Sequence, residues 1–420
     1  MILHLDIDCF FVSAHRTLDK SLLHIPTAVG GRSNLNIFSR TKHKRVVSSN
    51  NGAFVSSIVS AQNPNAKEYF KDENGRIRGI ITTSSYEARA YGVKTAMSVN
   101  EALTLCPHLK MIPPDYPLYH KLSYELLKFL EYETPQVEQF SIDEYFADVT
   151  GWIKDEDVYV FAQKLKNKIQ KKFDIPISIG IAKSKYLSKL ATEYAKPHGV
   201  KVVYEEEVSD FINDIPIEEF PGIGSGYQQR LKAYGIKTLG QIKNRRELFY
   251  SWKKPGIQLY NRVCGVHDFK LSKKMPSKSI GIGRTFDPLE NRDEIKRRVV
   301  ILARYLAFLV FKKNVNPQTY AIKIKYEFNI KSKNYMNTNR VFSEKLFKDE
   351  ILKMFTNNDI HPTHNVIQLN ITVSNFIEQR METFNLLEYE DDLKKKKLNS
   401  KLNGLREKFG MDIIKNGNEL

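Results

Sequence analysis

Two stretches of this sequence hold carboxylates where a folded core would exclude them. In SIDEYFADVT, residues 141–150, Asp143 and Glu144 stand side by side among Ile142, Tyr145, Phe146 and Val149, residues that belong in a buried sheet. In LHLDIDCF, alternation puts Leu3, Leu5, Ile7 and Cys9 on one strand face and Asp6 and Asp8 on the other. Asp143 and Glu144 would point to opposite faces of a continuous strand. They converge only if the chain turns there, with VEQFS and YFADVT as the arms of a hairpin. Taken alone, the pair is accounted for by an acidic turn exposed to water. Beside LHLDIDCF a second reading opens, in which Asp6, Asp143 and Glu144 form one cluster. Carboxylates within about 4–6 Å repel and raise one another's pKa, so a cluster kept ionised implies a divalent cation. Oxygen donors without His or Cys select magnesium or manganese. Magnesium commonly keeps substrate phosphates in its shell, which makes phosphate ligands the next thing to look for.

Candidates are present. TTSSYEARAYGVKTAMS offers Thr83, Tyr86 and Arg89 at a spacing that lets them share a helical face after a strand. EYAKPHGVKVV presents Lys196 at a helix end, just before Pro197 and Gly199. Arg and Lys so placed could hold a triphosphate, although an arginine on an amphipathic helix is usually only solvated. PGIG, residues 221–224, suits a tight turn between helices whose glycines admit a phosphate to the main chain. A purely structural interhelical turn has the same composition. It is not a dinucleotide fingerprint, because no apolar strand leads into it and its glycine spacing is wrong.

The elements that must position these residues follow from periodicity. Residues 1 to about 205 alternate strand-like and helix-like stretches, an α/β or α+β pattern. A polar, turn-rich segment, GRSNLNIFSRTKHKRVVSSNNG and onward to Arg78, interrupts it as an insertion or loop. Residues 204 to about 267 read as small and helical, and HDFKLSKKMPSKS as a basic connector. In the third unit, TYAIKIKYEF sets Tyr320, Ile322, Ile324, Tyr326 and Phe328 against Lys323 and Lys325. VIQLNITVSNF sets Ile367, Leu369, Ile371 and Val373 against Gln368, Asn370, Thr372 and Ser374. Ile295, Val299, Leu302, Leu306 and Leu309 form a helical stripe that would cover the packed face. The wet face suits phosphate contacts, and a merely solvated face fits equally well.

Bulk properties agree with several domains and a polyanionic partner. The 420 residues exceed one ordinary core, and 65 Lys and Arg against 48 Asp and Glu leave a net charge of +17. No apolar run is long enough to span a bilayer, and MILHLDIDCFF reads as an immediate strand rather than a secretory leader. Cys9, Cys106 and Cys264 lie far apart, without a CxxC spacing, which points to a reducing compartment and no structural zinc.

The order DIDCFFVS, SSYEARAYGVKTAMS, SIDE, SIGIAKSKYLSKLATEYAKPHG and FPGIGSGYQQRLKAYGI resembles the Y-family translesion DNA polymerases of the DNA polymerase IV type, over roughly residues 1–376. The resemblance implies an α+β multidomain right hand. Residues 1–18 and 113–203 would form a ferredoxin-like palm. Residues 19–112 would form the fingers, with an insertion at about 32–78, and 204–267 a helix-hairpin-helix thumb. A linker at 268–278 would lead to an α/β little finger at 279–376 and a C-terminal tail at 377–420. It implies two Mg2+ ions, replaceable by Mn2+, on Asp6, Asp143, Glu144 and the main-chain carbonyl of Ile7. Phe10, Phe11, Thr83, Tyr86, Arg89 and Lys196 would bind the nucleotide, with Phe11 as the steric gate against ribose. Gly222, Ile223, Gly224, Lys323 and Lys325 would contact DNA.

Expected partners are primer–template DNA and deoxynucleoside triphosphates, with low fidelity, lesion bypass and no proofreading. A monomer away from membranes, in the cytoplasm at the nucleoid, is expected. TFNLL carries Thr383, Phe384, Leu386 and Leu387 as a degenerate match to a sliding-clamp docking peptide; a segment packed on its own domain has the same composition. Cys9 and Ser184 depart from the residues relatives often carry. Two competing readings are a nucleotide cyclase with a palm-like fold and a DNA-binding module without chemistry.

Overall fold

The computed structural model describes residues 1–33, 35–39, 45–47, 58–60, 66–72, 75–266, 271, 277–377, 387–415 and 417–419. They divide into two compact units, Met1–Gly31 with Lys71–Met275, and Arg32–Phe70 with Pro276–Leu420.

The first unit is organised by a five-stranded sheet whose central strand is Ile2–Ile7. Glu144–Asp148 pairs antiparallel on one side, continued by Gln136–Gln139. Ile177–Ala182 pairs antiparallel on the other, continued in parallel by Val200–Val202. Leu3, Leu5 and Ile7 pack into one core with Leu126 and Leu130 of helix Tyr116–Glu133 and with Leu165 and Ile169 of helix Val158–Phe173. Burying this apolar face fixes the register, since a slip of one residue would exchange it for His4 and Asp6. Those two residues lie on the opposite face, on the side of helix Lys185–Ala195, whose Thr192 hydroxyl meets the His4 ring. A three-stranded sheet of Ile80–Ser84, Thr27–Gly31 and Lys110–Ile112 carries the short helices Tyr86–Ala90 and Val99–Leu105. Residues 208–263 are helical, with Ile217, Phe220, Ile223 and Leu231 in their core. Of the 268–278 connector, Leu271, Ser277 and Lys278 are described, and Leu271 is buried against Ile2 and Phe146.

The second unit is a four-stranded antiparallel sheet in the order Ser279–Leu289, Val366–Ile377, Asn316–Tyr326, Lys331–Asn337. Helices Arg292–Lys312 and Glu344–Asn358 contribute Val299, Leu302, Leu306, Phe347 and Ile351 to its core. Tyr320, Ile322, Ile324 and Tyr326 are fully buried, as the alternation predicts. Phe328 departs from it: the strand ends at Tyr326, and Phe328 stands in a turn, 84% exposed. Ile367 departs too. A register irregularity brings Val366 opposite both Tyr326 and Leu289, so Val366 is the buried residue and Ile367 only half-buried.

Two further segments join this unit. Ile37 and Phe38, from the stretch read as a fingers insertion, lie in its core. Arg297 donates to the Phe38 carbonyl, and Arg298 stacks 4.8 Å over the Phe38 ring. The segment read as a tail contains helix Tyr389–Phe409, whose Arg406 pairs with Glu344 in a buried salt bridge.

Gly180 couples fold to site. A Cβ there would lie 2.2 Å from both the Ser188 carbonyl and the Thr192 amide, so only glycine lets helix Lys185–Ala195 settle on the sheet. Gly180→Ala is expected to lose about 1–3 kcal/mol or more of stability in urea unfolding. The helix displacement should also be visible as faster hydrogen exchange across residues 185–195.

Candidate active site

The hairpin anticipated around residues 141–144 exists, and its geometry assembles the acids. Gln136–Gln139 and Glu144–Asp148 are its arms, and the amides of Phe140 and Ser141 both donate to the Glu144 carbonyl, at 3.0 and 3.1 Å. Asp6 is the direct cross-strand partner of Glu144, and the Ile7 amide donates to the Asp143 carbonyl at 3.0 Å. Asp6, Asp143 and Glu144 are thus brought together at one end of the central strand.

Their electrostatics differ according to what surrounds each. Burial pushes Asp6 up to about 7; Lys196 pulls it back while Asp143 and Glu144 push it further up. Burial also raises Asp143, against a 2.9 Å hydrogen bond from Ser141. Glu144 is pushed up by burial too, yet contacts with His4 and Lys189 outweigh it and bring it down to about 2. His4 is itself lowered to about 4 by burial and is neutral at pH 7, with Nε2 3.6 Å from Glu144. Lys196 Nζ lies 3.1 Å from Asp6 and 2.8 Å from Glu193; burial lowers its pKa, but these carboxylates raise it more. Among the described residues no three His, Cys, Asp or Glu side chains form a ligand array, because Glu144 and Asp6 turn toward Lys189 and Lys196. The donor set nevertheless fits a hard divalent cation. It is all oxygen, and Asp6 and Asp143 are held toward protonation by burial and mutual repulsion that a dication would relieve.

Asp8 has a different job. Its carboxylate accepts from the Ser178 hydroxyl at 3.0 Å, the Tyr86 hydroxyl at 3.0 Å and the His198 amide at 2.8 Å, and the residue is 2% exposed. Engaged in this way, it orients its neighbours, tying the Tyr86 helix to the main sheet.

The other expected residues are placed unevenly. Thr83 sits in strand Ile80–Ser84 and not on a helix; only Tyr86 and Arg89 share the helix, with the guanidinium 5.0 Å over the Tyr86 ring. Phe11 stacks on Tyr119 at 4.1 Å and 8° between planes, with little of it exposed. The Phe10 side chain is buried against Phe11 and Tyr119. The two departures in sequence have local roles. Cys9 takes a left-handed conformation (φ 49°) that opens helix Phe10–Leu18, and Ser184 caps helix Lys185–Ala195 through the Leu187 amide at 3.3 Å. His4, Lys189 and Ser178 escaped the sequence reading. The signals for them are the alternation of His4 with Asp6 and the four-residue spacing of Lys185 and Lys189.

Farther away, Gly222 has φ 97° and Gly224 caps helix Ser225–Ala233, while Ile223 is buried in the helical core. Lys323 lies directly across from Lys333, and Lys325 from Lys331. Like charges so opposed destabilise a sheet by roughly 0.2–1 kcal/mol each, which a polyanion would reverse. Lys331 and Lys333 were legible in KSKNY, where they flank the buried Ser332. Thr383, Phe384 and Leu386 lie outside the described residues; Leu387 is almost fully exposed.

Comparison with known proteins gives a consistent pattern. The profile of the impB/mucB/samB family matches residues 5–193, that of its C-terminal domain residues 277–386, and that of the family's HHH motif residues 205–236. The chain is 33% identical to a DNA polymerase IV of Oceanobacillus iheyensis, across 90% of this chain and 93% of that protein. It is 29% identical to a DNA polymerase IV of Bacillus velezensis, across 99% and 92%. The Y-family DNA polymerase chimera Dbh-Dpo4(243-245)-Dbh shares its fold with a TM-score of 0.70 at 23% identity, over 90% of this chain and 99% of the chimera.

The Asp6 environment yields a pH prediction. A carboxyl raised in the fold favours the native state at low pH, and that advantage is lost as pH rises from its unfolded value toward about 7. Asp6→Asn is expected to melt above the wild type at pH 8, with the gap closing toward pH 5.5, in thermal scans without divalent ions.

Proposed function

The chain belongs to the impB/mucB/samB family, and on that premise we propose that Asp6, Asp143 and Glu144 are the carboxylates at which it extends a DNA primer. It is a DNA-directed DNA polymerase of low fidelity that copies past damaged template bases without proofreading. The right-hand architecture follows: residues 1–18 and 113–203 serve as palm, 19–31 and 71–112 as fingers, 204–267 as thumb and 279–376 as little finger, with 32–70 added to the last. The cyclase and inert-module readings are not favoured, because the relatives that match over nearly the whole chain are polymerases.

The observation that carries the site assignment is the register setting Asp6 across from Glu144 beside Asp143. These residues and the Ile7 carbonyl would hold two magnesium ions, or manganese, which supply Lewis acidity for the primer 3′-hydroxyl and the α-phosphate when bound. The chain's own groups do the rest. Lys196, protonated beside Asp6, and Arg89, aligned by Tyr86, hold the triphosphate of the incoming deoxynucleotide; Thr83, at the end of its strand, adds a hydroxyl. Asp8 fixes Tyr86 through its hydroxyl. The Phe11 ring, stiffened by its stack on Tyr119, lies beneath the sugar and collides with a ribose 2′-hydroxyl. The Gly222–Gly224 turn and Lys323 and Lys325 track the backbone of the primer–template duplex without reading sequence. The exposure of Leu387 supports docking of the 383–387 segment on a sliding clamp.

Asp143→Ala is expected to abolish primer extension in magnesium while DNA affinity, measured by anisotropy, stays within about twofold, because the phosphate contacts lie elsewhere. A parallel loss of binding would refute that separation. Phe11→Ala should admit ribonucleotides, read as a rise in their kcat/KM relative to deoxynucleotides; unchanged sugar discrimination would remove the gate assignment.

A further inference from the structure

The turn joining the two lysine-bearing strands holds a phenylalanine in a backbone conformation that side chains disfavour. The Ile330 amide donates to the Glu327 carbonyl at 3.3 Å, and Phe328 and Asn329 have φ of 56° and 59°, the pattern of a type I′ turn. Such a turn takes glycine or asparagine at its first central position without strain, whereas a Cβ bearing a ring is crowded there. The ring is 84% exposed, so burial in its own domain does not offset the strain. Nor is it loose. Its edge meets His364 at 6.3 Å between centroids, His364 meets His361 at 5.6 Å, and His361 meets Tyr326 at 5.3 Å. A row of rings therefore runs from the core out to Phe328. The cationic ladder ends at the same turn: Lys325 and Lys331 are the last pair before it, with Lys323 and Lys333 behind them.

A strained, braced and exposed ring at the end of a lysine ladder matches a ligand that is both anionic and flat. We propose that Phe328 is a stacking platform for an unpaired nucleobase of a single-stranded overhang, continuing from a duplex whose phosphates lie along Lys323, Lys325, Lys331 and Lys333. This assignment rests on the polymerase reading above. A protein partner would call for an apolar patch around the ring, but its neighbours in the turn are Glu327 and Asn329. Base stacking needs only a single face with cations beside it.

The test uses the full chain and two DNAs: a duplex with a single-stranded overhang containing 2-aminopurine, and a blunt duplex of equal length. Wild type is expected to quench the 2-aminopurine by stacking. Phe328→Ala should lose the quench and bind the overhang DNA about tenfold more weakly, with blunt-duplex affinity nearly unchanged. Phe328→Trp should keep both. Phe328→Gly should melt higher than wild type, because the turn is relieved, and still lose the quench. A quench that survives Phe328→Ala, or equal weakening on both DNAs, overturns the proposal, as does a ring that serves only a protein contact and leaves DNA binding untouched. Primer extension by the wild type is read in parallel, so failure of the polymerase reading registers separately.

Discussion

An antiparallel register that faces Asp6 with Glu144 forces two carboxylates to cross-strand distance at one end of the central strand, with Asp143 adjoining them. Like charges in that position repel, so the surrounding structure has to hold them there against their own electrostatics. The apolar side of the central strand does the holding. Leu3, Leu5 and Ile7 are fixed by helices Tyr116–Glu133 and Val158–Phe173, and no slip can separate the acids without exposing them. Helix Lys185–Ala195 and its C-terminal residue supply the compensating charge, Lys189 to Glu144 and Lys196 to Asp6, and Gly180 sets how closely that helix approaches.

Asp6 and Asp8, two residues apart, show how donors decide a carboxylate's role. Asp8 is met by a serine hydroxyl, a tyrosine hydroxyl and a backbone amide, all uncharged, which between them engage both of its oxygens. Asp6 has a single lysine, which is shared with Glu193. The first acid is structural glue between two parts of the catalytic unit; the second keeps an unmet demand for positive charge. The same contrast separates Asp143, pushed up by burial, from Glu144, held down by His4 and Lys189. Three acids served by two lysines leave one acid without a lysine of its own, an asymmetry that a divalent cation would redress.

Strict alternation made the sheets legible. The apolar face of Ile2–Ile7 and the buried face of Asn316–Tyr326 follow from period two alone, and the acidic hairpin follows from the impossibility of converging Asp143 and Glu144 along a straight strand. What escaped was set by local breaks in period or by contacts distant in sequence. Phe328 left its face because a turn begins after Tyr326, and Val366 displaced Ile367 through a register irregularity. Thr83 could not share a helix with Tyr86 because Ser85 caps that helix. Nothing in the polar 32–70 stretch marks Ile37 and Phe38 as core residues of a unit that begins more than two hundred positions later. Helix Tyr389–Phe409 has its buried positions at Asp392, Asn399 and Arg406, so a search for an apolar stripe passes over it.

That inverted helix bears on how the lysine face is sustained. Helix Arg292–Lys312 is buried nearly all round, Arg304 included, because the C-terminal segment covers its outer side. Arg304 reaches Asp412 and Glu419; Lys348 reaches Glu419 and Glu344; Arg406 pairs with Glu344. Three buried cations and three anions pair here, and Lys415 adds a fourth cation 3.9 Å from Asp412. Apolar residues of the same volume would stabilise such a site as well or better, so the contribution of these pairs is to favour this segment in this register. On the opposite side of the same sheet Lys323, Lys325, Lys331 and Lys333 face one another without acids among them. One layer of the unit thus pairs its charges internally, and the other leaves its charges for an external polyanion. Compensating acids placed among those lysines would steady the sheet and cancel the positive field it presents.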